Sequence, residues 1–446
     1  MASTTETPYK IHISPDNTGL LGLKQTEDAS RKVSELLQKD LEEHHVYIND
    51  DGFHNHISHH LLALYGTGAP APALQRGFDV NKGYQLPAKP VHEEVVTELS
   101  GDWERHAKGY LGKHKYYPDF LRFFQREMER REGGWREVVG EYVFSGKEGA
   151  EEVFSRLFAG FLHPAIQFMY GLEWEQPAMI AMGLAQTAVH GNDLGPFMFE
   201  AERLAKSSSE EEMGSIISLY HAVKANDKLA HAAKMSDANK VRDGVLVRAR
   251  EEMLQVAGRV KVKPEELEER TAEMYDNAVF VAASAAFKEG KGEKFDFFLM
   301  HHVNAAPLWI TINKQPWISL ETKVRLLEWK IRLDLLQYAG RACPPLNLDK
   351  IKAYKPKEKP QKTPLEILSR LHNRDEDGHA IKLGRATAIC QRISKGYEGR
   401  EWLTIKGDDV WDKVFHLEVD SVEAPGEWVR TAGLDEAWKD IPDAKL

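Results

Sequence analysis

Residues 264–288, PEELEERTAEMYDNAVFVAASAAFK, read as one long helix that starts charged and grows steadily more apolar. The apolar half of such a helix has to be buried, so other elements must wrap it. The segments available to do so also carry helical spacing. Residues 28–43 are amphipathic, with Asp28 or Ser30 near the start as a cap. Residues 151–168 pass from amphipathic to fully apolar, and residues 177–190 open on Pro177, which suits a first helical turn. Residues 208–225 follow the run SSSEEE, a cap with acids at the positive end of the dipole. Residues 321–338 and 379–394 follow the same pattern. Strand signals are weak and few, at YKIHIS (9–14) and HLEVDSV (416–422). The expectation is a mainly α chain: one large single-unit multi-helical fold over 1–446 with only minor β. Residues 1–8 are expected to form a disordered tail, and the Lys- and Pro-rich 352–364 an exposed loop.

The bulk numbers narrow the function. The 446 residues, 42% hydrophobic and 29% charged, can build a sizeable core. A net charge of −10 gives no reason to expect a nucleic-acid partner. Cys343 and Cys390 are the only cysteines, which excludes a disulfide framework and a thiolate metal cage. The polar start MASTTETPYK and the lack of an 18-residue apolar run point to a cytoplasmic protein with no membrane span. No glycine-rich phosphate loop, GxGxxG turn or GxSxG elbow is present. The glycines of GTGAPA (66–71) follow a helix and read as its C-cap and turn.

Histidine is the residue type that points to chemistry. Four of them crowd GFHNHISHH: His54, His56, His59 and His60. His56, His59 and His60 fall on one helical face that continues into Ala63 and Leu64, and His54 points elsewhere. His163 lies in AGFLHPAIQFMYG, beside Ile166, Gln167 and Tyr170, and His301 lies in FDFFLMHHVNAA on the phenylalanine side. His302 is turned from His301 by one residue step, roughly 100°. In DGHAIKLGRATAICQRIS (377–394) an inward stripe runs through Lys382, Ala386, Ile389 and Ile393, with His379 one turn earlier.

A lysine on a buried stripe is costly unless paired or neutralised. One way to neutralise it is addition of carbon dioxide. The resulting carbamate is an anionic oxygen ligand that offsets the positive charge of an imidazole-bound metal. Imidazoles with one such oxygen and an open position suit non-haem Fe(II), and they also suit a zinc or nickel hydrolase that activates water. Histidines that merely pack the core of a helical binding protein are the remaining reading.

Four segments, NHISHHLLALYGTGA, GFLHPAIQFMYGLEWEQPAMIAMGLAQTAVH, DFFLMHHVNAA and DGHAIKLGRA, resemble the questin oxidase-like family in order and over nearly the whole chain. The resemblance implies oxidative ring cleavage of anthraquinone-type aromatic polyketides, with dioxygen and the polyketide as small-molecule partners. It also implies a metal set of His56 (or, in its place, His59 or His60), His163, His301 (chosen over the adjacent His302 for its place on the phenylalanine stripe), His379 and carbamylated Lys382, holding Fe(II). NADPH enters as an external reductant if the reaction is of Baeyer–Villiger type. His59, His60, Gln167 and Asn304 are expected beside the reacting centre. Tyr65, Phe168, Tyr170, Trp174, Met179, Gln186 and Trp309 are expected to form flat or soft walls for a planar substrate. Asp377 and Arg385 flank His379 and are expected to orient it or to face solvent.

Overall fold

A computed structural model describes residues 5–49, 51–208, 213–357 and 363–444. The main helices, in chain order, are α1 (Glu27–Glu43), α2 (Ile57–Gly66), α3 (Ala71–Lys82), α4 (Glu148–Arg156), α5 (His163–Glu173), α6 (Pro177–Val189), α7 (Ile216–Ala225), α8 (Leu267–Ser284), α9 (Phe297–Ala305), α10 (Leu320–Gly340), α11 (His379–Ser394) and α12 (Asp408–Glu423). The β structure among the described residues consists of isolated bridges. The fold is mainly α, as the spacing predicts. No helix among the described residues is long and apolar enough to cross a membrane.

The differences from the sequence reading have local causes. The cap of α1 is Thr26, whose Oγ1 accepts from Ala29 N at 3.2 Å. Asp28 therefore sits inside the first turn, where an acid suits the dipole rather than the cap. The predicted helix 151–168 is broken. Pro164 lacks the N–H that a helix interior needs, so α5 starts afresh at His163, after a turn with φ of 52° at Gly160, 53° at Phe161 and 66° at Leu162. Residues 209–212 of the predicted cap SSSEEE lie outside the described residues; α7 starts at Ile216, whose N–H donates to Glu273 Oε1 at 2.6 Å. Residues 1–4 of the expected tail and 358–362 of the expected loop are likewise outside the described residues.

Both weak strands are corrected. The amides of Ile11, His12 and Ile13 donate to Gln38, Gln176 and Ser34 side chains, not to a neighbouring strand. HLEVDSV lies within α12. Its polar residues are buried, with Glu418 accepting from Thr387 and Asp420 from Tyr354, while neither ring nitrogen of His416 has a hydrogen-bond partner among the described residues. Apolar–polar alternation there marks a helix buried on all sides rather than a half-buried sheet.

The chain forms two compact units. The first comprises Met1–Asn192, Lys314–Ile318 and Ser369–Arg385, and the second comprises Asp193–Asn313, Ser319–Leu368 and Ala386–Leu446. In the first, α5 and α6 approach so closely that a Cβ on Gly183 would stand 2.7 Å from Phe168 Cα. That packing buries Phe168 and Met179 completely. In the second, α8 to α10 and α12 enclose polar networks as well as apolar side chains. The stripe through α11 is wider than expected: residues 378–391 are buried on every side, and Ile393 is only half-buried.

Candidate metal centre

The first unit gathers histidines from three separate stretches. His56 is the N-cap residue of α2, His163 opens α5, and His379 opens α11. Each ring is fixed from behind by an acceptor. Asp377 Oδ2 faces His56 Nδ1 at 3.0 Å, and Asp377 Oδ1 faces His379 Nδ1 at 2.5 Å. The carbonyl of Gly160 faces His163 Nδ1 at 2.6 Å. A carboxylate or a carbonyl can only accept, so each Nδ1 carries the proton and each Nε2 carries the lone pair. This is the tautomer that ligates a metal, held by the outer partners such sites use.

The Nε2 atoms of His56 and His163 stand 2.9 Å apart, with ring planes 7° from parallel. His379 meets His56 edge-on, with centroids 4.6 Å apart. His54, His56 and His163 each offer a ligand atom within 4.8 Å of the others, and so do His56, Asp377 and His379. Burial, reinforced by Lys382, pushes His56 down to about 3, and burial also lowers His379. The rings are therefore neutral. Burial alone would raise Asp377, but His379 and His56 hold it well below its ordinary value.

Gly378 makes the Asp377–His379 arrangement possible. Its φ is +92°, and a Cβ there would meet His60 Cβ at 2.6 Å. His60 packs beneath this turn, with Nδ1 3.5 Å from Asn81 Nδ2. Lys382 is 1% exposed, and its Nζ lies 3.1 Å from His59 Nδ1. Burial lowers this ammonium to about 8, against the pull of Asp377 and Glu376. His59 itself is held well below its ordinary value, first by burial and then by Lys382.

The other expected residues divide by role. Gln167 Oε1 accepts from Ser58 Oγ at 2.6 Å, tying α5 to α2 next to His59. The Tyr170 ring centroid lies 6.2 Å from that of His59. Tyr65 and Trp174 pack edge to face, and the Tyr65 hydroxyl donates to the Ser14 carbonyl at 3.2 Å. Gln186 is buried in α6, and its Oε1 has no hydrogen-bond partner among the described residues. Arg385 forms a buried, two-pronged ion pair with Glu173, so it braces α11 against α5 and does not face solvent. Three expected residues belong to the second unit. His301 Nδ1 donates to the Phe297 carbonyl at 2.5 Å, leaving its Nε2 as the lone-pair nitrogen. Asn304 donates to Met300 Sδ at 3.2 Å, and Trp309 lies under Lys330.

Two histidines exceed the sequence reading. His54 does not point elsewhere: its ring stacks on His163 at 3.9 Å, 8° from parallel, and its Nε2 lies 2.8 Å from His190 Nε2. Helical spacing misplaced it because α2 starts only at Ile57, so His54 belongs to the non-helical approach. His190 carries no local signal, since it merely follows the last turn of α6.

The stretch from residue 53 to residue 387 matches the model of a family described as questin oxidase-like. The chain belongs to that family. The match spans His54 to Lys382, so every group of the centre lies inside it. Among the family's members, a Baeyer–Villiger oxidase (ptaJ) of Pestalotiopsis fici is 35% identical, covering 98% of this chain and 99% of the relative. A questin oxidase of Aspergillus fumigatus is 36% identical, over 93% and 94%. The oxidoreductase AflY of Aspergillus parasiticus is 32% identical, over 98% and 94%. This questin oxidase-like chain is thus an oxidoreductase.

Proposed function

We propose that the chain is a non-haem iron(II)-dependent oxygenase of fungal secondary metabolism. It cleaves the C–C bond beside the quinone carbonyl of an anthraquinone-type aromatic polyketide and gives a benzophenone-type product. The observation that carries this reading is the facing pair of Nε2 lone pairs on His56 and His163, 2.9 Å apart. Two acceptor nitrogens at that distance repel unless a cation lies between them. Nitrogens about 2.1 Å from one ion lie about 3.0 Å apart at a right angle and about 3.4 Å apart around a tetrahedral ion. The spacing suits an octahedral preference such as that of iron better than tetrahedral zinc and a hydrolase. The names of the relatives, two oxidases and an oxidoreductase, support the same class of reaction.

His56, His163 and His379 would hold the ion. Bound ferrous iron supplies the one-electron chemistry that lets dioxygen react with a closed-shell aromatic molecule. The chain's own residues do the rest. Asp377 and the Gly160 carbonyl keep three Nδ1 protons in place, so the Nε2 atoms stay basic. Lys382 adds carbon dioxide as the neutral amine: the Nζ–C bond forms, one proton leaves to a base in solution such as bicarbonate, and the neutral His59 Nδ1, 3.1 Å from Nζ, accepts the remaining N–H as a hydrogen bond. The carbamate then contributes an anionic oxygen donor. Tyr170 offers a flat wall next to His59.

A second reading rests on the printed name Baeyer–Villiger oxidase. There one oxygen atom enters beside the carbonyl, and the other leaves as water at the expense of an external reductant such as NADPH. Protein loaded with iron(II), given a hydroxyanthraquinone and isotopically heavy dioxygen, separates the two. Both heavy atoms in the product without NADPH consumption support the first reading. One heavy atom with stoichiometric NADPH loss supports the second. Zinc as the bound metal with no oxygen uptake sinks both.

A further inference from the structure

In the first unit, a cleft of about 390 Å³ opens between the end of α1, the segment 88–91 and the helix Tyr117–Arg130. Small-molecule sites occupy about 300–1,000 Å³, so the space suits a ligand of one or two rings. The backbone holds its rim. The His45 amide donates to the Leu86 carbonyl and the Ala88 amide to the Glu43 carbonyl, both at 2.8 Å. Leu41, Val91 and Leu121 supply apolar walls, and Tyr117 lines the cleft beside them. None of the residues that form the metal centre lines it.

The polar part of the lining is rich in donors. Lys89, Arg122 and His45 all contribute to it. The half-buried Arg122 guanidinium lies 5.9 Å from the centroid of the Tyr9 ring, and its Nε has no hydrogen-bond partner among the described residues. The acids nearby are engaged elsewhere. Glu93 takes both prongs of Arg126, Glu129 accepts from the Tyr9 hydroxyl, and Glu42, itself at the cleft, accepts from Gln38. His45 is 2% exposed, and its Nε2 is also without a hydrogen-bond partner among the described residues. Its Nδ1 accepts from the Tyr47 amide at 3.2 Å, so the proton of the neutral ring sits on Nε2 and makes that atom a donor. Burial, followed by Lys89 and His114, lowers His45 to about 4, which keeps the ring neutral. An ammonium, a guanidinium and a buried N–H thus line one cleft whose neighbouring carboxylates are committed to other groups. Buried donors left without an acceptor are costly, and an anion entering the cleft relieves that cost.

We infer that this cleft is a binding site for an aromatic carboxylate of one or two rings. The carboxylate accepts from Arg122 and Lys89, His45 Nε2–H supplies a third donor, and the ring packs against Tyr117 and the apolar walls. An inorganic anion would leave those walls unused, and a neutral aromatic molecule would leave both cations without a partner. The ligand class follows from the lining alone and does not depend on the metal or on the proposed reaction.

Calorimetric titration of the full-length protein tests this with three probes: ortho-benzoylbenzoate, its neutral amide and inorganic phosphate. The acid should bind at least about tenfold more tightly than either of the others, the worth of a charge-assisted hydrogen bond. Arg122→Met should weaken the acid about tenfold and leave the amide unchanged. Lys89 is exposed, so Lys89→Glu should keep the parent's melting temperature and stays readable if Arg122→Met does not fold. It puts a like charge beside the carboxylate and should also weaken the acid about tenfold. A carboxylate that sat on the metal instead would bind both variants as it binds the parent. That result, or equal affinity of the parent for acid and amide, overturns the site. Phosphate binding as tightly as the acid overturns the aromatic class of ligand. The titration involves no oxygen and no turnover, so its outcome is separate from that of the oxygenase assay.

Discussion

Asp377 binds His56 through one carboxylate oxygen and the Nδ1 of His379 through the other, so a single side chain sets the tautomer of two rings. Asp377→Asn keeps the shape but presents an amide nitrogen to one Nδ1 and forces that ring to turn or to change tautomer. Iron affinity is expected to fall about 10–100-fold. Metal analysis after dialysis against a graded chelator measures this, and an unchanged affinity would remove Asp377 from the centre.

Lys382 is expected to carry one carbon dioxide when metal and bicarbonate are present. Native mass spectrometry should show the increment in the parent and not in Lys382→Ala, which should also hold less iron. Parent protein that binds a full equivalent of iron with an unmodified lysine contradicts the carbamate.

Gly378→Ala meets two obstacles, a left-handed φ and His60 Cβ at 2.6 Å. The turn must shift, carrying Asp377 and His379 with it. We expect a stable protein with sharply reduced metal content, read by circular dichroism and metal analysis together. Full metal occupancy would show that the turn adapts.

The Arg385–Glu173 pair is 1% exposed on both sides. Removing one partner strands a buried charge, so Glu173→Gln should cost about 3–5 kcal/mol in chemical denaturation. A loss below about 1 kcal/mol would place the pair among those of surface strength.

Stability should fall as pH rises through the neutral range. Burial pushes Glu418 from 4.5 up to about 8 and Asp276 from 3.8 up to about 7. Above the ordinary carboxylate range the unfolded chain has released these protons while the folded chain still holds them. The folded state therefore binds more protons, and its advantage shrinks with pH until each buried group ionises. Glu418→Gln should flatten the decline between pH 5 and 8, by up to about 1.4 kcal/mol per pH unit. A slope identical to the parent's would mean that Glu418 is ionised throughout.

What the sequence revealed follows from how each residue is held. The helix through 379–394 and the burial of Lys382 are readable because spacing along one helix decides them. His56 and His163 are readable as histidines in apolar surroundings. Their aim is not, because it depends on a half-helical cap and on three successive positive-φ residues, two of which are not glycine. Asp377 stands two residues before His379 in plain view, but its bond to His56 spans 321 positions and has no local trace. His54 and His190 were missed for the same reason: their meeting is decided by tertiary packing across 136 positions.

The two ways of anchoring the rings also differ in what inheritance can do to them. His163 leans on the carbonyl of Gly160, a group every amino acid carries, so no replacement at residue 160 deletes the acceptor itself. His56 and His379 share one side chain, and a single codon change at residue 377 removes both supports at once. Descendants of this chain that lose the chemistry but keep the fold should therefore record the loss first at residue 377.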